Sequence, residues 1–77
     1  LSPRDIFNEN IMTGLRKKEG LPVSLWLNKG ENPKNILQNP QIEKLYRDQF
    51  IYLEDQNLKL TQRGRHFADG IAAQLFK

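Results

Sequence analysis

Three of the four prolines in this 77-residue chain stand directly after a side chain that can cap a helix: Ser2-Pro3, Asn32-Pro33 and Asn39-Pro40. A capping oxygen accepts a backbone N–H of the first turn, and proline at the first helical position lacks only a donor that has no partner there. Three helix starts are therefore fixed locally. The fourth proline, Pro22, pushes Leu21 out of the helical region, so Leu21-Pro22-Val23 reads as a short extended segment.

Between these marks the apolar spacing fills in the elements. Asp5 favours the positive end of the first helix, and Phe7, Ile11 and Leu15, with Met12 beside them, lay one apolar stripe along it. That helix is expected to end between Leu15 and Glu19, stopped by Gly20. Ser24 is placed to cap a short helix carrying Leu25, Trp26 and Leu27 and closed by Lys29 and Gly30. The next two helical pieces hold Ile36 and Leu37, then Ile42, Leu45 and Tyr46 inward, with Glu43, Lys44, Arg47 and Asp48 facing water.

At Phe50 the texture changes to "FIYLEDQNLKL", two β-prone runs around the polar turn Glu54-Asp55-Gln56-Asn57, which predicts a β-hairpin. Thr61 then caps a last helix whose buried face is Phe67, Ile71 and Leu75 with Ala68 and Ala72. Gly64 and Gly70 each weaken that helix by up to about 1 kcal/mol against alanine, so close packing is expected at both. The fold class is a mostly α, α+β single domain over residues 1–77 with a small β-hairpin. Its order of elements is that of a winged helix, Leu21–Val23 supplying a third strand.

Composition narrows function by exclusion. With no cysteine, disulfides, thiolate metal sites and cysteine nucleophiles are excluded within the chain. No apolar run approaches the roughly 20 residues of a membrane span and no leader is visible, so a cytoplasmic setting is the default expectation. The first residue is Leu1 rather than Met, which reads as a module cut from a longer protein. Hydrophobic residues at 38% and charged ones at 27% are ordinary for a folded domain of this size.

Twelve basic residues against nine acidic ones give a net charge of +3, weak grounds for a phosphate-bearing partner. Lys59, Arg63 and Arg65 gather where a winged helix has its wing. The helix that would enter a major groove mixes Glu43 and Asp48 with Lys44 and Arg47, which argues against duplex DNA. A winged-helix nucleic-acid binder is the alternative function, not the leading one.

The stretches "LSPRDIF", "LRKKEGLPV" and "LKLTQRGRHFADGI" together resemble the C-terminal domain of the oxygen-independent coproporphyrinogen III oxidase family and its related heme chaperones. The most specific pieces are Leu15-Arg16 followed by Glu19-Gly20, and Leu60-Thr61 followed by Gly64. The resemblance implies a radical S-adenosylmethionine parent whose N-terminal barrel carries a [4Fe-4S] cluster on three cysteines. This module follows the barrel as a non-catalytic, winged-helix-like cap, with no cluster or catalytic residue of its own. Oxidase members convert two propionates of coproporphyrinogen III to vinyl groups; related members bind heme and pass it on, and the shortness of the module after "LSPRD" leans toward them. The chain departs from the family in having Gln49-Phe50 where a Gly-Leu pair usually precedes the wing, and in the Asn39-Pro40 break.

Two residues stand out if such a module touches a tetrapyrrole. Arg16 suits a propionate carboxylate, because a planar guanidinium pairs with it bidentately. Its structural alternative is a local pair with Glu19, three residues on, at a helix end that favours cations anyway. His66 is the single imidazole available to heme iron, with Met12 a possible second ligand; the alternative is a surface histidine beside Phe67. Trp26, Tyr46, Tyr52 and the phenylalanines are expected in the core.

Overall fold

The computed structural model describes residues 2–28 and 30–77. Helix α1 (Pro3–Arg16) opens with Ser2, whose Oγ accepts the Asp5 N–H while the Asp5 carboxylate accepts the Ser2 N–H. Strand β1 (Leu21–Pro22) follows, then 3-10 turns at Val23–Leu25 and Pro33–Gln38. Helix α2 (Pro40–Arg47) leads into strands β2 (Ile51–Glu54) and β3 (Asn57–Leu60), and helices α3 (Gln62–Arg65) and α4 (Ala68–Leu75) end the chain. Both asparagine–proline starts form as expected: Asn32 Oδ1 accepts from Lys34 N–H, and Asn39 Oδ1 from Gln41 and Ile42.

The sheet is antiparallel in the order β1-β3-β2, with Leu21 opposite Leu58 and Ile51 opposite Leu60. Leu21-Pro22 is therefore the expected third strand; Val23 already begins a 3-10 turn, although its N–H still bonds the Gln56 carbonyl. Asp55 and Gln56 form the two-residue hairpin loop with φ of 53° and 63°, the left-handed pair that matches the twist of the strands. One sheet face lies on the helices through Ile51, Leu58 and Leu60; Tyr52 and Lys59 stand opposite each other on the other face. The layout is α+β with the winged-helix order of elements.

The core is aliphatic: Ile11, Leu21, Ile36, Ile42, Ile51 and Leu58 are its largest fully covered side chains. The aromatic residues expected there sit at its edge or outside it. Phe7, Trp26 and Phe50 are half-buried, whereas Tyr46, Tyr52, Phe67 and Phe76 are exposed, as is Met12. A sheet this small leaves room for branched aliphatic side chains between its inner face and the helices, and the larger rings are displaced to the rim.

Four local expectations are corrected. Helix α1 ends at Arg16 with Lys17 already extended, so Gly20, at φ +79°, does not stop the helix but closes the turn into β1. Ser24 lies inside the 3-10 turn and caps nothing; Gly30 also has positive φ, while Lys29 lies outside the described residues. The last helix is two helices, bent at His66-Phe67. Thr61 and Gly64 fix α3 against the hairpin while α4 packs along α1, and the bend between those directions turns Phe67 outward, 57% exposed.

Gly64 and Gly70, expected to be alike, differ in their surroundings. At Gly64 a Cβ would collide with the Phe50 carbonyl, as expected, but at Gly70 nothing lies within 4 Å of that position. The C-terminal end is nonetheless tied down. Arg4 Nε and Asn8 Nδ2 donate to the Lys77 carbonyl, and the Lys77 N–H donates to Asn8 Oδ1.

Candidate anion-binding site

Arg16 is the last residue of α1, where cations suit the negative helix end. Its partner is not Glu19. Nη2 lies 3.2 Å from Oδ1 of Asp69, in the first turn of α4, so the pair bridges two helices rather than one turn. Both side chains remain largely in water.

His66 sits at the bend between α3 and α4, its N–H donating to the Arg63 carbonyl and its ring exposed. The bend brings it to the same hollow as Arg16: about 350 Å³ walled by Arg16, Arg65, His66, Phe67 and Asp69 and bordered by Gly70. Two residues 50 positions apart in the chain, one suited to a carboxylate and the other to iron, thus share one depression. Met12 is not among its walls.

Beside the hollow, and sharing Arg16 and Arg65 with it, lies a cleft of about 500 Å³. Arg16, Lys17, Lys18, Lys59 and Arg65 line it over a floor of Leu15, Leu60 and Ala68, with Tyr52 on one wall and no acid in the lining. Lysines 17 and 18 face this cleft because α1 ends at Arg16 and the chain turns there toward β1. Two of these cations are paired, Arg16 with Asp69 and, at closer range, Lys59 with Glu54. The Lys59 ammonium donates to Glu54 Oε1 at 2.7 Å, and that hydrogen bond holds its pKa above the usual lysine value against the opposing effect of partial burial.

The surface that would read duplex DNA is different in character. Arg47 on α2 pairs with Glu43 at 3.6 Å, and the tip of the hairpin is Glu54-Asp55-Gln56. Free cations therefore collect away from the helix and wing tip that a winged helix inserts into or beside a groove. Arg63, expected to join them, instead lies with its guanidinium carbon 4.7 Å from the centre of the Phe50 ring.

Among the described residues no group of three or more His, Cys, Asp or Glu side chains could hold a metal ion, and no helix is long and apolar enough to cross a membrane. The [4Fe-4S] cluster implied by the resemblance finds no thiolate in this chain. No local pattern in the sequence ties Asp69, Lys17 or Lys18 to a site with Arg16.

No curated protein and no solved structure matches the chain. Residues 1–67 match the model of the HemN C-terminal domain, and the chain belongs to that family.

Proposed function

We propose that this domain is the non-catalytic cap of a radical S-adenosylmethionine heme-pathway protein, packing on an N-terminal barrel of the same protein and covering its substrate opening. On this reading the hollow meets the tetrapyrrole. Arg16 and Arg65 take propionate carboxylates, Phe67 offers a ring face, and His66 stands within the same depression for heme iron. The observation that carries it is the convergence of Arg16 and His66 on one hollow with Arg65 between hollow and cleft. Carboxylate–guanidinium pairs beside a low-polarity ring suit a flat molecule with acidic arms.

The cap supplies binding and coverage, and the parent's cluster and S-adenosylmethionine, which no residue here would hold, supply the chemistry elsewhere. Whether the parent is the oxidase or the heme chaperone turns on iron. Titrating the 77-residue chain with hemin and with metal-free coproporphyrin, followed by absorbance, separates them. Binding of both that weakens in Arg16→Ala supports the carboxylate role, and a hemin spectrum altered by His66→Ala supports the chaperone branch. Identical titrations for wild type and Arg16→Ala would sink the carboxylate role, as would a parent gene without a Cys-x3-Cys-x2-Cys motif upstream sink the radical parent.

A further inference from the structure

The cleft does not end at Tyr52. Tyr52 also lines a second cavity, about 600 Å³, bounded by Tyr46, Arg47, Arg63, Gln49 and Gln62, again without an acid in its lining. The two cavities share Tyr52, which stands on the outward side of the sheet, so they adjoin one another there. Seven of the chain's twelve basic residues line them: Arg16, Lys17, Lys18, Lys59 and Arg65 in the cleft, Arg47 and Arg63 in the second cavity. The nine acids lie outside both linings.

Three of the seven are ion-paired with acids just outside the linings, Arg16 with Asp69, Lys59 with Glu54 and Arg47 with Glu43; among the described residues Lys17, Lys18, Arg63 and Arg65 carry the open positive charge of this face. The same face carries two exposed tyrosines, and tyrosine with arginine is the composition enriched at the energetic centres of protein interfaces. A solvated basic surface has no need of exposed rings; a docking surface has.

We infer that this face, from Tyr46 across Tyr52 to Lys18, docks an acidic surface of the catalytic domain that precedes the module in its parent protein. The inference rests on the cap reading above and deepens it by naming the face. It also fits the geometry of that reading: the hollow adjoins the basic face through Arg16 and Arg65, so docking here places the hollow at the edge of the interface. Charge complementarity of this kind steers encounter and fixes orientation, and it weakens as salt rises.

The test is association in trans of the 77-residue chain with the separately expressed N-terminal domain of its parent. Lys18→Glu and Arg47→Glu, neither of which lines the hollow, are compared with Lys34→Glu, which makes the same charge change on the 3-10 turn at Pro33–Gln38. Lys18→Glu and Arg47→Glu are each expected to weaken binding by about ten-fold or more and to flatten its salt dependence, with Lys34→Glu near wild type. Association that is equally strong in all four proteins overturns the assignment of the face while leaving the cap reading standing. Absence of association even for wild type overturns the cap reading itself. If a labelled single-stranded oligonucleotide binds wild type with that same variant pattern and the N-terminal domain does not displace it, the face belongs to nucleic acid and the inference is wrong.

Discussion

Arg16 and Asp69 join the end of α1 to the start of α4 across 53 residues of chain, Nη2 to Oδ1, with side chains 65% and 83% exposed. An ion pair so open to water holds little of the fold, so its interest is what else Arg16 can do. Asp69→Asn is expected to change stability by no more than about 0.5 kcal/mol in urea unfolding. It also releases the guanidinium, so coproporphyrin should bind more tightly to Asp69→Asn than to wild type, and less tightly to Arg16→Ala. Equal affinities for all three would leave the pair as surface decoration.

Gly64 and Gly70 look alike in the sequence and differ in the structure. A methyl group at Gly64 meets the Phe50 carbonyl, a backbone atom that cannot give way without moving the hairpin. Gly64→Ala should destabilise by about 1–3 kcal/mol or more, the range of overpacking in a filled site. Gly70, helical and with open space around it, should accept alanine with a gain of about 0.5–1 kcal/mol from reduced freedom of the unfolded chain. Thermal melts would show the two shifts in opposite directions. Because Gly70 borders the hollow, the stabilised variant should also bind porphyrin less well.

Just beyond helix α2, Gln49 has φ +66°, its N–H bonded to the Tyr46 carbonyl and the Phe50 N–H reaching back to Leu45. This 6→1 and 5→2 pair is the helix stop that glycine usually occupies, because a Cβ is strained in the left-handed region. It also gives a structural account of Gln49-Phe50, the pair at which the chain departs from what the resemblance implies. The Gln49 carbonyl accepts the Thr61 hydroxyl, a bond that a change of side chain leaves intact. Gln49→Gly should therefore raise stability by about 1 kcal/mol, read as a higher urea midpoint with unchanged slope.

What could be read from the sequence was local. Ser2, Asn32, Asn39 and Thr61 cap helices within three residues of themselves, and Asp55-Gln56 closes a hairpin of adjacent strands, so their chemistry is complete within a short window. Arg16 stands out in the sequence and its partner does not, because Asp69 becomes a neighbour only when α4 packs on α1. Phe67 falls on the apolar stripe of a continuous helix, and the stripe was misleading because the bend at His66 depends on where the hairpin holds Gly64. The basic face needs the end of α1, the outer side of the sheet and α3 together, and no single segment shows it.

The Lys59–Glu54 pair gives a pH signature. The hydrogen bond to Glu54 raises the Lys59 pKa above its ordinary 10.5 in the folded state, whereas the unfolded chain keeps the ordinary value. Between those two values the unfolded state releases a proton that the folded state retains, so the pair's contribution is complete below the ordinary value and is lost as pH rises through the folded one. Wild type should consequently lose stability more steeply than Lys59→Met in the window just above 10.5, and the two should run parallel at neutral pH. Urea midpoints measured across the alkaline limb would show it; parallel curves throughout would mean that Glu54 does not hold the ammonium in solution.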